Sequence, residues 1–163
     1  MRVFLLTACL VLAGCGFRLR GTAEVPFKTV YVQGASPAFA LEIKRNIRAG
    51  TRAEVVDDPR LAEAIFELSQ ERREKHILSL TGAGRVSEFQ LRYQLVFRVH
   101  DGKGNEYVPP SVLLLTRDMS FSDAEILAKE QEEQILFRDM QNDMVQLMLR
   151  RVAAAGKPAD KAP

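Results

Sequence analysis

Hydrophobic positions recur along this chain with two different periods, and the switches between them mark out its elements. Residues 27–32, Phe27-Lys28-Thr29-Val30-Tyr31-Val32, are rich in β-branched and aromatic types and predict a strand that Gly34 ends. Ser36-Pro37 then has the form of an N-cap followed by proline at the first helical position, and Phe39, Ile43 and Ile47 recur every four residues up to Gly50. The spacing predicts a short amphipathic helix whose other face, with Lys44, Arg45 and Arg48, is solvated. Asp57-Asp58-Pro59 reads as a loop before the next strand.

From residue 64 to residue 80 the period falls to two, which places Phe66, Leu68, Leu78 and Leu80 on one side of a long strand. Residues 70–75 within it are wholly polar, and so predict either a bulge or a length of strand that projects past the core. A turn at Thr81-Gly82-Ala83-Gly84 leads into the clearest alternation in the chain. There Phe89, Leu91, Tyr93, Leu95, Phe97 and Val99 take one face, and Gln90, Arg92, Gln94, Arg98 and His100 mostly take the other. Asp101-Gly102-Lys103-Gly104 supplies a hairpin turn into residues 106–117. Pro109-Pro110 cannot donate to a ladder, so that strand starts at an edge or a bulge before residues 112–115 join the sheet.

Ser122-Asp123-Ala124-Glu125 has the form of a capping box, and a helix is predicted from there to about residue 152, roughly 45 Å long at about 1.5 Å per residue. Phe137, Met140, Met144, Leu147 and Met148 form its packing stripe, while residues 129–134 are almost entirely polar. Residues 153–163 are rich in Ala, Lys and Pro and are assigned no structure. The order strand, helix, three hairpin-linked strands, helix predicts an α+β fold with two helices packed on one face of a mostly antiparallel four-stranded sheet. The other sheet face then shows Arg92, Gln94 and Arg98 to water or to a partner.

Residues 1–14 stand outside this pattern. Arg2 is a short positive n-region and residues 3–12 are an almost unbroken apolar run, too short to span a bilayer, which needs about 20 residues. The run ends in Leu12-Ala13-Gly14-Cys15, which resembles the lipobox of bacterial lipoproteins. That resemblance implies cleavage before Cys15, lipid on its sulfur, and membrane attachment through that lipid. Gly16 is not the aspartate that resembles an inner-membrane retention signal, so the outer membrane is the expected destination. Residues 15–152 then form one domain.

Composition narrows the function by exclusion. The chain has 163 residues and a formal net charge of +2, which falls to +1 once Arg2 leaves with the signal. Such a balance gives no electrostatic case for nucleic acid. Of the two cysteines, Cys9 is lost with the signal and Cys15 is committed to lipid, so the domain holds by packing without a disulfide. His76 and His100 are the only histidines and neither sits with a cysteine or a carboxylate pair at a metal spacing. Gly82 and Gly84 are turn residues, and no nucleophile elbow or phosphate-cradling loop occurs. A non-enzymatic protein with no cofactor is expected.

Gly14-Cys15-Gly16-Phe17-Arg18-Leu19-Arg20-Gly21 resembles the mature start of the lipopolysaccharide-assembly lipoproteins, the LptE family. The order of elements, Ser87-Glu88-Phe89-Gln90-Leu91 and Leu127-Ala128-Lys129-Glu130 are similar as well. The resemblance implies a plug inside a large outer-membrane β-barrel, LptD, which the lipoprotein helps to assemble. It also implies binding of lipopolysaccharide on its way to the cell surface. Lys129 matches a lysine implicated in that binding. Arg85 stands slightly later in its turn than the family's basic residue, whose place is taken here by Gly82. Two alternatives stay open: a periplasmic scaffold or cell-wall-binding lipoprotein with no barrel partner, and, for Lys129, an i,i+4 pair with Glu125 or Glu133 on a solvated helix face.

Overall fold

Residues 23–156 are described by a computed structural model. The signal, Cys15, the Cys-Gly-Phe segment and residues 157–163 of the tail lie outside them.

β1, Thr29–Gln33, turns Val30 and Val32 inward. Phe27 precedes the strand but is also buried, its ring edge-on to Tyr107 at 5.5 Å. α1, Pro37–Gly50, has Pro37 in its first turn and buries Phe39, Ile43 and Ile47, as their spacing required. Ser36 caps it through its backbone carbonyl, which accepts the Ala40 N–H at 2.8 Å; the serine hydroxyl takes no part. At the other end both the N–H and the hydroxyl of buried Thr51 donate to the Ile47 carbonyl, at 2.9 and 2.8 Å.

The sheet has five strands in the order β2-β1-β3-β4-β5, one more than the sequence pattern indicates. The extra strand is β2, Glu54–Val55, which runs parallel to β1. β1 is also parallel to β3, Ala64–Leu80, with Val30 opposite Ala64 and Val32 opposite Phe66. A parallel pair needs a crossover, and α1 provides it. The rest is an antiparallel meander through β4, Val86–His100, and β5, Glu106–Ser120. The fold is therefore α+β with a mixed sheet, antiparallel in its larger part.

β3 keeps its pairing through residues 70–75, and a bulge at Ser69 decides which way they point. Before it, Phe66 and Leu68 stand opposite Val99 and Phe97 on the helix-covered face, where the Phe66 and Phe97 rings stack at 5.6 Å. One inserted residue reverses the alternation. After it, Glu71, Arg73 and Lys75 stand opposite Leu95, Tyr93 and Leu91 on that same face. A second irregularity around Ser79 follows, and Leu78 and Leu80 end exposed instead of joining Phe66 and Leu68.

The expected capping box before the last helix does not form. Residues Asp123–Glu125 make a 3-10 turn in which the Ser122 carbonyl accepts the Glu125 N–H at 3.0 Å, and neither side chain caps. α2 follows as Ile126–Ala155, three residues beyond the predicted end near 152. Its buried residues begin only at Met140 and include Met144, Val145, Met148, Leu149 and Val152. These pack with Phe39, Ile43 and Ile47 of α1 over the inward residues of β4, each apolar side chain contributing roughly 1.5–3 kcal/mol.

Candidate functional site

The long half of the sheet, beyond the reach of β1, ends at the β3–β4 turn, and the start of α2 lies over that same end. The turn closes through Thr81, whose N–H donates to the Arg85 carbonyl at 2.7 Å and whose carbonyl accepts the Gly84 N–H at 2.9 Å. Gly84 takes φ 77°, a conformation glycine adopts without strain. β5 then crosses over: Ser120 pairs with Glu88, and the Phe121 N–H donates to the Ser87 carbonyl at 2.8 Å. Both residues expected to meet a ligand therefore sit at one end of the molecule.

They differ in state. Arg85 is exposed, and among the described residues its side chain has no hydrogen-bond or ion-pair partner. Lys129 is only 14% exposed; its ammonium donates to Ser120 Oγ at 3.0 Å and to Glu132 Oε2 at 2.9 Å. The acid that pairs with it is thus at i+3, and Glu133 is taken by Lys75 at 2.5 Å. No shared partner links Arg85 to Lys129.

Beneath α2, charged residues of β3 and β5 are used as ties. Lys75 reaches Glu133 and lies 4.7 Å over the Phe89 ring. Arg73 donates to Gln141 Oε1 at 2.6 Å and lies 5.0 Å over Tyr93, while Arg117 of β5 meets Asp143 at 2.7 Å. These ties account for Arg73 and Lys75 of the polar run in β3, while Arg72 and Glu74 pair with each other on the other face.

The uncovered sheet face alternates in charge. Arg98 Nε donates to Glu67 Oε2 at 2.8 Å, its Nη2 lies 2.7 Å from that oxygen as an ion pair, and His100 Nε2 lies 3.1 Å from the same oxygen. Arg98, with His100, holds the Glu67 carboxyl below the usual range for its type. Arg92 and Gln94 share this face with Arg72 and Glu74 and with exposed Val112 and Leu114, which stand opposite Val96 and Gln94, so it is mixed in character and not a cationic patch. Among the described residues no group of His, Cys, Asp or Glu could hold a metal ion, and no helix is long and apolar enough to cross a membrane.

What the sequence pattern does not reveal at the turn end is aliphatic. Ile77, Leu78 and Leu80 of β3 and Ile126 and Leu127 of α2 are all exposed there. Period two places Leu78 and Leu80 in the core, against what the structure shows; Ile126-Leu127, an apolar pair opening a polar helix segment, is the available signal.

The LptE profile, described as lipopolysaccharide-assembly, matches residues 27–152. The LPS-assembly lipoprotein LptE of Photorhabdus laumondii is 28% identical over 151 residues, covering 89% of this chain and 80% of its own. The counterpart in Yersinia enterocolitica is 27% identical, covering 89% and 71%. Among solved structures, the solution structure of lipoprotein B from Nitrosomonas europaea superposes with a TM-score of 0.74 at 42% identity, over 85% of this chain and 91% of that one. Rare lipoprotein B from Shewanella oneidensis, at 22% identity and a TM-score of 0.67 over 78% and 95%, shares the fold.

Proposed function

The chain belongs to the lipopolysaccharide-assembly family LptE, and from that membership we propose that it is an outer-membrane lipoprotein, anchored by lipid on Cys15, that plugs the LptD β-barrel. In that place it assists the folding of the barrel and contacts lipopolysaccharide during delivery to the cell surface. A lipopolysaccharide-assembly lipoprotein is not an enzyme, in keeping with a sequence that carries no catalytic motif.

The observation that carries the reading is the family match across residues 27–152, which reaches every element of the fold and leaves out only the last three residues of α2. The exterior supports it. A barrel lumen is polar and water-lined, and a plug for it needs a polar surface. On the uncovered sheet face the Glu67–Arg98 and Arg72–Glu74 pairs supply polar groups of that kind, beside exposed Val112 and Leu114. The interface is then broad and tolerant of single charge changes, since exposed pairs contribute only about 0–1 kcal/mol each.

Lipopolysaccharide is contacted at the turn end through Arg85 and Lys129. Arg85 is free to pair with a lipid A phosphate by charge-assisted hydrogen bonds. Lys129 must exchange Glu132 for that phosphate, which makes it the weaker contributor.

Purification of the tagged, full-length protein from membranes in mild detergent tests the proposal. A stoichiometric barrel of high mass is expected. Its repeated absence favours a periplasmic scaffold or cell-wall-binding lipoprotein instead.

A further inference from the structure

The two edges of the sheet are unlike. One is β2, only two residues long, and very short edge strands offer little to pair with. The other is β5, which runs for 15 residues and pairs with β4 alone. Its hydrogen-bonding phase follows from the Phe121 N–H, which donates to the Ser87 carbonyl and so marks that pair as a bonded one. Antiparallel ladders alternate bonded and unbonded pairs, so residues 119, 117, 115, 113 and 111 bond to β4. The N–H and C=O groups of Val112, Leu114, Thr116 and Asp118 point outward instead, where no further strand meets them among the described residues.

Long edges are usually blunted by proline, lysine, bulges or inward-pointing charge. Pro109-Pro110 and the register shift beside them do this at the start of β5 only. After them, Ser111-Val112-Leu113-Leu114-Leu115-Thr116 carries no charge, proline or glycine. Leu113 turns into the core, while Val112 and Leu114 stand exposed on the uncovered face. An apolar strand left open along its main chain is a template for one more strand.

A second copy of this chain does not supply that strand. In a two-fold antiparallel pairing of β5 with itself, a register centred on residue 113 or 114 sets Pro110, which has no N–H, opposite Thr116 or Asp118. A register centred on residue 115 sets Val112 opposite Asp118. No register pairs all four outward residues and also keeps like beside like.

We infer that β5 accepts a sixth strand from a partner protein, an extended segment bonded main chain to main chain with Val112, Leu114, Thr116 and Asp118. Its side chains over the uncovered face are apolar opposite Val112 and Leu114, and hydroxylic or basic opposite Asp118. The inference rests on the proposed barrel partner, which that same face meets, and adds the kind of contact by which one side of the plug is held.

Hydrogen exchange read residue by residue tests it, on the full-length protein alone and on the complex purified with the barrel in the same detergent. In the complex the amides of residues 112, 114, 116 and 118 should slow by about a hundredfold or more, and those of residues 113 and 115, already bonded to β4, by much less. Thr116→Pro removes one outward N–H and no bond to β4. It should strip about tenfold of the protection from Leu114 and Asp118, whereas Thr116→Ala should keep it. Outward amides that exchange as fast in the complex as alone overturn the sixth strand and leave the plug standing. So does protection that Thr116→Pro leaves intact, since burial without pairing would behave that way. Protection that appears in the protein alone and grows with its concentration makes the occupant a second copy and overturns the partner strand. If no barrel purifies with the protein, both readings fall.

Discussion

The phenol of Tyr93, fully buried in β4, donates a 2.8 Å hydrogen bond to Glu71 on β3. The bond lies where the apolar core gives way to the charged layer under α2. Removing the hydroxyl by Tyr93→Phe should cost about 1 kcal/mol, the usual net worth of such a bond, read by urea denaturation. Burial first, then Glu71, pushes the phenol's pKa well above its ordinary value. A raised pKa keeps the native phenol protonated after the unfolded one ionises, so stability is present below about pH 10 and lost as pH rises beyond it. Tyr93→Phe should therefore flatten the alkaline loss of stability; an unchanged slope would show that the phenol does not contribute to it.

Glu67 shows the opposite linkage. Its pKa is lowered chiefly by Arg98, so its contribution is present above the ordinary carboxylate pKa and is lost as pH falls through the lowered one. Glu67→Gln should lower stability at pH 7 by roughly 0.5–1 kcal/mol and remove that part of the acid dependence. Equal acid profiles for the two proteins would count against the pairing.

His100 is predicted to hold one tautomer when neutral. Its Nδ1 accepts the Gly102 N–H at 3.0 Å, which leaves the proton on Nε2 to face Glu67. Ring 15N chemical shifts of the neutral ring should show the Nε2–H form, and a dominant Nδ1–H form would refute the arrangement.

Gly34 leaves no room for a side chain. It takes φ 80°, and a Cβ there would stand 1.9 Å from the Leu68 carbonyl oxygen, next to the Ser69 bulge. Gly34→Ala should destabilise by about 2 kcal/mol or more, with both strain and collision contributing. Gly82→Ala, where nothing lies within 4 Å of the added Cβ, is the control and should change little. Equal melting temperatures for the two would show that β1 and β3 are not held this closely.

Cys15 should be the N-terminal residue of the mature protein and carry its acyl chains. Mass spectrometry of the N-terminal peptide decides this, and an unmodified Cys15 would remove the anchor. Several chains are needed for firm attachment, because each buried CH₂ contributes only about 0.8 kcal/mol and one chain binds reversibly.

Local signals sufficed for the parts of this protein whose fate is settled by neighbours in the chain. The four-residue spacing of Phe39, Ile43 and Ile47 between Ser36-Pro37 and Gly50 specified α1. The alternation from Phe89 to Val99 specified the inward face of β4, and the methionine stripe specified where α2 packs. The tertiary structure decided what no local pattern carries. β2 is two residues long and has no period to read; it exists because α1 returns the chain beside β1. The Ser69 bulge turns Glu71, Arg73 and Lys75 toward α2 and, with the irregularity near Ser79, leaves Leu78 and Leu80 exposed. A period-two reading assumes one residue per step of the ladder, and a single inserted residue reverses every side chain beyond it. The surroundings of Arg85, Lys129 and the exposed leucines at that end of the sheet were therefore set by the register between neighbouring strands of the meander, which the alternation of residue types does not carry.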